Sequence, residues 1–129
     1  MATFSSAQVA STMHQALEQC DVDMLLSCYS DDAEIQIIDR NNPPSSPLML
    51  HGKKAIADYY RDICSRGMKH VVQQEIVGDN RLGLTEACQY TDGTRVLAAE
   101  MCELRDGKIA RQTNIQAWDE TSVWEETEA

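Results

Sequence analysis

The sequence has few aromatic side chains, little positive charge and no long apolar run. No stretch approaches the roughly 20 apolar residues that a membrane-spanning helix needs, so we expect no transmembrane segment. Lysine and arginine number 11 against 21 acidic residues, which gives a net charge of −10. Phosphate backbones and anionic lipid surfaces repel such a chain, so we expect neither nucleic acid nor membranes as partners.

The usual signatures of metal and cofactor binding are also missing. No H-x-H, H-E-x-x-H or clustered acidic pattern predicts a metal, and no glycine-rich loop predicts a phosphate cradle. The five cysteines include no C-x-x-C pair, and the N-terminus MATFSSAQ lacks the basic and apolar parts of a signal peptide. We therefore expect no metal, no cofactor, and reduced, mostly buried thiols in a cytoplasmic protein.

What is present fits one globular domain. A chain of 129 residues with 43% hydrophobic residues can bury a substantial core. Acidic residues cluster after residue 119, where Trp124 is the one large apolar side chain. We predict a single domain over residues 1–119 and an acidic C-terminal tail over residues 120–129.

The first half of the sequence carries helical signals around one strand. Ser5 and Gln8 form a capping box before an apolar stripe at helical spacing, and Asp21 can cap a second, shorter helix. That helix is predicted to carry Tyr29 and to end at Ser30-Asp31-Asp32. The alternating segment AEIQIID, residues 33–39, then predicts a strand.

After this strand, the sequence predicts a loop and a helix, and then a series of strands. Residues 40–47 contain all three prolines and predict a loop, and KKAIADYYRDICSRG after Gly52 predicts a third helix that Gly67 can end. Four strand patterns follow: HVVQQEIV, LGLTEACQYT, TRVLAAEMCEL and KIARQTNIQAW. The order α-α-β-α-β-β-β-β predicts an α+β fold with three helices on one face of a mostly antiparallel, curved sheet.

The register of the last three strands depends on two Asp-Gly turns. If both loops have three residues with glycine in the left-handed conformation, Glu100 lies opposite Leu84 and Gln112. One face of the sheet then collects a polar set: Glu86, Glu100, Gln112, Asn114, Gln116 and Trp118, beside Cys88 and Cys102. If the loops have two residues, Glu100 pairs with Thr85 and Thr113 and the polar face changes.

Acid–base chemistry is the function that this polar face favours. Glu86 and Glu100 in one apolar cavity could not both ionise at low cost, so one pKa should rise. A neutral Glu100 could donate a proton while Asp39, on the apolar side of the first strand, removes one. The alternatives are that the two glutamates face outward, and that Asp39 is a turn-forming acid bonded to its own backbone.

The order of these elements and three sequence segments resemble the nuclear transport factor 2-like superfamily, in particular its SnoaL-like polyketide cyclase and ketosteroid isomerase-like branches. The resemblance lies in ALEQCDVDMLLSCYSDDAEIQI, HGKKAIADYY and ELRDGKIARQTNIQAWD, and it spans residues 7–119. It implies a cone formed by a curved sheet wrapped around the helices, with an apolar pocket inside. It also implies dimerisation through the outer face of the sheet.

The resemblance places this family's catalytic positions on individual residues. The isomerase base falls on Ile37, with Asp39 two residues further along the same face. The oxyanion-binding tyrosine falls on Met13, with His14 beside it, and the second oxyanion donor falls on Glu100. The supporting tyrosines match Tyr29 and Tyr60, and the acid at the end of the last strand in SnoaL-like cyclases matches Asp119. Because the base and the first donor are replaced, steroid isomerase activity is not expected.

Two functions from different classes therefore stay open. One is an enzyme that binds a small apolar carbonyl or polyketide-like molecule and isomerises, cyclises or dehydrates it, with Asp39, Glu100 and His14 as catalytic residues. The other is a non-catalytic, dimeric ligand-binding or protein-interaction module. The predicted pocket residues are Met13, Tyr29, Ile37, Tyr59, Tyr60, Glu86, Cys88, Cys102, Gln112, Asn114, Gln116 and Trp118. Alternatively, the three tyrosines are core residues and His14 lies on the helix face without a role. The amides of Asn114 and Gln116 could instead form cross-strand hydrogen bonds at the dimer face. His70 is given no role.

Overall fold

Three helices and one sheet make up the computed structural model, which describes residues 4–119. The acidic tail predicted at 120–129, with Trp124, lies outside the described residues. The elements are α1 (Ser6–Gln19), α2 (Val22–Leu26), β1 (Tyr29–Ile38), β2 (Leu48–His51), α3 (Gly52–Cys64), β3 (Lys69–Gly78), β4 (Arg81–Gln89), β5 (Arg95–Arg105) and β6 (Lys108–Asp119). Within this region no helix is long and apolar enough to cross a membrane.

The six described strands form one curved sheet in the order β2-β1-β6-β5-β4-β3. β1 and β6 are parallel, and the other neighbouring strands are antiparallel. The helices cover one face of this sheet, here called the inner face, and the opposite face is called the outer face. The predicted α+β class, with its mostly antiparallel sheet, is confirmed.

The helix starts follow the predicted capping chemistry. The Ser5 side chain accepts a hydrogen bond from the Gln8 backbone N–H at 3.2 Å, and Gln8 Oε1 accepts one from the Ser5 N–H at 2.8 Å. Asp21 Oδ1 likewise accepts from the Met24 N–H at 3.0 Å. These bonds satisfy N–H groups that have no partner within the helix.

The start of β1 differs from the prediction. Tyr29 belongs to the strand and not to the second helix, because it pairs with Ile109 of β6. The Ser30-Asp31-Asp32 segment, predicted to be a break, lies within β1 at a register irregularity between Tyr29 and Glu34. The short strand β2 was not predicted, because it follows directly after the proline loop and spans only four residues.

Two of the five cysteines form a disulfide, which corrects the expectation that all of them are reduced. Cys20 caps the C-terminus of α1, Cys64 is the last residue of α3, and the bond joins them across 44 residues of sequence. The remaining three, Cys28, Cys88 and Cys102, are free and buried as expected. Disulfides persist mainly in oxidising compartments, so the thiol argument for a cytoplasmic location no longer holds.

The two Asp-Gly turns have different lengths. At Asp92-Gly93 the loop has three residues, Gly93 has φ 94°, and Glu100 lies opposite Leu84 as the first register predicts. At Asp106-Gly107 the loop has two residues, both with positive φ. A bulge between Glu103 and Leu104 then restores the face, so Glu100 lies opposite Asn114 instead of Gln112.

Candidate functional site

A cavity of about 540 Å³ lies between the inner face of the sheet and the C-terminal parts of the helices. Its apolar wall comes from residues such as Leu17, Leu25 and Ile63, and its polar wall from β3 to β6. Nine of the predicted site residues line it: Asp39, Tyr59, Tyr60, Glu86, Cys88, Glu100, Asn114, Gln116 and Trp118.

The other predicted site residues lie elsewhere. Met13, Tyr29, Ile37 and Cys102 are buried in the hydrophobic core, and Gln112 is buried beside it. Gln112 still belongs to the polar network of the cavity wall, because its Nε2 donates to the Tyr60 hydroxyl at 3.3 Å and to Asn114 Oδ1 at 2.6 Å.

A chain of buried hydrogen bonds runs from the core to the cavity. The Tyr29 hydroxyl donates to Gln112 Oε1 at 2.5 Å, and the Tyr60 hydroxyl donates to Glu100 Oε1 at 3.4 Å. Burial raises the pKa of both tyrosines well above the ordinary value, so both hydroxyls keep their protons. The network therefore fixes the position of Glu100 through groups that stay neutral.

Glu100 is the buried acid at the centre of the cavity wall. Its side chain is 2% exposed, and removal from water, followed by the charge of Glu86 and a hydrogen bond with Glu86, raises its pKa well above 4.5. The Tyr60 hydroxyl opposes this shift but does not reverse it. Burial and the neighbouring acid thus both disfavour the ionised form of Glu100.

Beside Glu100 lies a group that the sequence prediction missed. His70 Nδ1 lies 2.7 Å from Glu86 Oε1 and 3.3 Å from Cys88 Sγ, and all three side chains are buried. His70 reaches the inner face because the β3–β4 register shifts between Val72 and Gln74 and places it opposite Cys88. The signal available in the sequence was the alternation of His70 and Val72, but the bulge hid which face they share.

Three buried polar atoms in the described part of the chain have no hydrogen-bond partner: His70 Nε2, Glu100 Oε2 and Trp118 Nε1. All three residues line the cavity. Buried polar groups without a partner cost stability, so their convergence on one cavity indicates a place where a ligand or water completes the bonding.

Aromatic residues form the mouth of the cavity. Trp118 stacks on Tyr90 with ring centroids 5.9 Å apart, and the Arg40 guanidinium lies 4.0 Å above the Trp118 ring. Gln116 Nε2 donates to the Tyr59 hydroxyl at 3.0 Å, while burial raises the Tyr59 pKa to about 12. These contacts give the mouth flat apolar surfaces with fixed polar edges.

Asp39 lines the cavity and also forms a turn. Its Oδ1 accepts hydrogen bonds of 2.9 Å from the backbone N–H groups of Asn41 and Asn42 and from the Asn42 side chain. These bonds agree with the alternative that Asp39 is a turn-forming acid bonded to its own loop. They tie Oδ1 to its own loop and leave Oδ2 as the carboxylate oxygen available for cavity chemistry.

His14 lies on the exposed side of α1, away from the cavity wall. Its Nδ1 is 2.6 Å from Glu75 Oε1, its Nε2 is 3.3 Å from Glu18 Oε1, and its side chain is 40% exposed. The hydrogen bond to Glu75 is the main cause of its raised pKa. The structure therefore does not bring His14 together with Glu100, because the helix turns its apolar face, with Met13, toward the core.

A curved, unclosed sheet with helices and a part-polar cavity on its inner face defines the nuclear transport factor 2-like class. Within that class, residues 10–112 match the model of the SnoaL-like domain, and the chain belongs to this family. No protein with a curated description matches the chain by sequence.

Solved structures support the same fold. A candidate ketosteroid isomerase from Kribbella flavida is 13% identical with a TM-score of 0.74, covering 89% of this chain and 78% of its own. A nuclear transport factor 2-like protein of unknown function from Mesorhizobium loti is 16% identical with a TM-score of 0.74, covering 91% and 99%. IdmH, a candidate polyketide cyclase from Streptomyces antibioticus, is 14% identical with a TM-score of 0.67, covering 98% and 100%. At these identities the likeness concerns the fold.

Proposed function

We propose that the cavity binds a small, largely apolar carbonyl or polyketide-like molecule and moves a proton next to its carbonyl group. Isomerisation, cyclisation and dehydration all contain such a step. The observation that carries the proposal is the convergence of three unpartnered buried polar atoms on one cavity. A ligand with one or two oxygens and an apolar body would satisfy them.

Glu100 is the proton donor in this proposal. Its Oε1 accepts from Tyr60, while its Oε2 has no partner and is available to carry the proton toward a ligand oxygen. A neutral acid in an apolar cavity stabilises the negative charge that develops on a carbonyl oxygen during enolisation.

His70 replaces Asp39 as the preferred base. If its Nδ1 carries the proton and donates to Glu86, the unpartnered Nε2 has a free lone pair. Glu86 then orients the ring and stabilises the imidazolium that forms after proton abstraction. Asp39 is the second choice, because its Oδ1 already accepts three hydrogen bonds.

A non-catalytic binding module is the second candidate function. It is favoured by Ile37 and Met13, which fill the positions of the isomerase base and oxyanion donor and are fully buried in the core. In that case the cavity would hold the same class of ligand without proton transfer.

Hydrogen–deuterium exchange next to a carbonyl separates the two functions. A panel of small ketones and 1,3-dicarbonyl compounds is incubated with the protein in D₂O, and deuterium uptake is followed by mass spectrometry. Glu100→Gln and His70→Ala should each slow uptake by about 10²–10⁴-fold. The matched control is Glu103→Gln, which is exposed on the same strand and should retain the wild-type rate.

The outcomes are distinct. Unchanged exchange in Glu100→Gln would remove Glu100 as the donor, and unchanged exchange in His70→Ala would return the base role to Asp39. Saturable binding of a panel compound without any exchange would favour the binding module.

For the outer face of the sheet, the supported partner is a second copy of the chain. Val71, Leu97, Met101 and Ile115 are about half exposed there, at 51%, 48%, 59% and 50%, and Ile76 is 76% exposed. An apolar surface spread over β3, β5 and β6 is typical of an interface. A twofold arrangement would let this surface meet the same surface of a second copy.

A further inference from the structure

The geometry points to a metal site in the cavity wall: we propose that His70, Glu86 and Cys88 bind one divalent transition-metal cation of the Zn²⁺ type. The inference does not rest on the proposed function, because metal binding needs no substrate. The sequence predicts no metal site, because it contains no metal-binding spacing, and the proposal departs from that prediction. The spacing was invisible because the ligands come from two strands whose pairing contains a bulge.

The three ligand atoms already lie close together. His70 Nδ1 is 2.7 Å from Glu86 Oε1 and 3.3 Å from Cys88 Sγ, and all three atoms lie within 4.8 Å of one another. Neighbouring ligands of a tetrahedral zinc ion are separated by roughly 3.3–3.6 Å, as metal–ligand bonds of about 2.0–2.3 Å require. Small side-chain rotations would therefore admit the ion.

The three ligands lie on paired strands and line the cavity. His70 lies opposite Cys88 in the β3–β4 ladder, Glu86 lies opposite Val72, and all three side chains point to the inner face. Because all three residues line the cavity, an ion can enter and a fourth position stays open to it. Three protein ligands with an open position is the arrangement of zinc sites that bind water or substrate.

The chemistry of the ligands favours a borderline-soft cation. A thiolate, an imidazole and a carboxylate together are typical of Zn²⁺ and Co²⁺ and unsuited to Mg²⁺ or Ca²⁺, which prefer oxygen ligands. On binding, Cys88 releases its thiol proton to solvent and the imidazole keeps its proton on Nε2.

A second observation supports a cation at this place. Glu100 is 2% exposed, lines the same cavity wall, and has an Oε2 with no hydrogen-bond partner. A water bound at the open fourth position of the metal would give this oxygen a partner. Glu100 would then act as an outer partner of the metal site.

Metal binding and the proposed base role exclude each other. The metal takes Nδ1, so the ring proton must reside on Nε2, the atom that the base would need to be free. Zn²⁺ that occupies this site should therefore suppress any exchange activity that depends on His70.

Cobalt absorption tests the site directly. The chelator-treated full chain, without a histidine tag and without thiol reductant, is titrated with Co²⁺. We expect one equivalent to produce a near-ultraviolet thiolate-to-cobalt charge-transfer band. Cys88→Ser should abolish the band, and Glu86→Gln should weaken Co²⁺ binding by more than about tenfold, since even outer-shell changes cost that much.

Two matched controls isolate the cluster. Cys28→Ser and Cys102→Ser each remove a buried free thiol outside the cluster and should keep the band and the affinity. A band that persists in Cys88→Ser, or folded wild-type protein that gives no stoichiometric band, overturns the site whatever the variants do. If the metal-free wild type exchanges none of the panel compounds while the cobalt-loaded protein shows the band, only the proposed function is contradicted.

Discussion

The two faces of the same sheet reverse the usual distribution of polarity. The inner face buries five polar or charged residues: His70, Glu86, Glu100, Gln112 and Asn114. The outer face exposes apolar side chains such as Leu97, Met101 and Ile115. Buried polar groups cost free energy unless they are paired, so their concentration on the inner face supports the proposed binding function. The exposed apolar side chains of the outer face support the proposed contact with a second copy of the chain.

The two faces also differ in how completely their groups are paired. On the inner face Tyr29, Gln112 and Tyr60 satisfy one another, whereas the unpartnered atoms of His70, Glu100 and Trp118 gather at the cavity. Their incomplete bonding is therefore local. The comparison indicates that the core end of the inner face maintains the fold, whereas the cavity end has free polar atoms for the proposed ligand.

The largest expected effect is the loss of the proposed dimer when the outer face is given a charge. Met101→Lys should weaken the proposed dimer by about a thousandfold or about 4 kcal/mol, because a twofold interface would bury the new charge twice. Analytical ultracentrifugation over a concentration series measures the dissociation constant. Gln15→Lys, an equal change of charge on the exposed side of α1, is the control and should not alter it. A wild-type chain that stays monomeric would contradict the dimer proposal.

The next effect concerns the helices that cover the inner face. The Cys20–Cys64 disulfide ties α1 to α3 at the cavity, where both cysteines lie in the wall. Closing a loop of this length stabilises a protein by about 2–4 kcal/mol, mainly by restricting the unfolded chain. The double variant Cys20→Ser/Cys64→Ser should lose that much stability in urea unfolding. A reductant should destabilise the wild type equally and leave the double variant unchanged; equal insensitivity of both would show that the bond does not form.

A smaller effect is the difference in stability loss between a tyrosine at the core end of the inner face and one at the mouth of the cavity. Tyr29→Phe leaves Gln112 Oε1 with only the weak Cys102 thiol contact at 3.4 Å, so we expect a loss of about 1–3 kcal/mol. Tyr90→Phe removes an exposed hydrogen bond from Arg66 and should cost less than about 1 kcal/mol. Urea unfolding of both variants measures the difference, and equal losses would contradict the assigned importance of the buried network.

Much of the fold was predictable because local signals dominate it. The capping box at Ser5, the cap at Asp21 and the alternation of the last four strands each depend on nearby residues, and all were confirmed. A raised pKa within the Glu86–Glu100 pair was also predictable, because burial and a neighbouring acid both disfavour ionisation.

The missed features depend on pairing between distant strands. One bulge places His70 beside Cys88, and another compensates for the two-residue turn before β6. A bulge changes which residues share a face without a fixed sequence signal, so the His70 cluster could not be derived. The Cys20–Cys64 bond was missed for a similar reason, since it depends on how α1 and α3 converge.

The smallest expected effect is a pH dependence of the free energy of unfolding, which we attribute to Glu100 on the inner face. The pKa of Glu100 is raised in the folded state above its ordinary value of 4.5, so the folded protein holds this proton more tightly. The stabilising contribution is complete below pH 4.5 and is lost as the pH rises toward the folded-state pKa. Over that window the wild type should lose up to about 1.4 kcal/mol per pH unit relative to Glu100→Gln.

Urea unfolding at a series of pH values from 4 upward measures this difference. Glu103→Gln, on the same strand but exposed, is the control and should run parallel to the wild type. Parallel curves for Glu100→Gln and wild type would mean that Glu100 is ionised in the folded protein. The role of proton donor would then pass from Glu100 to another group of the cavity wall.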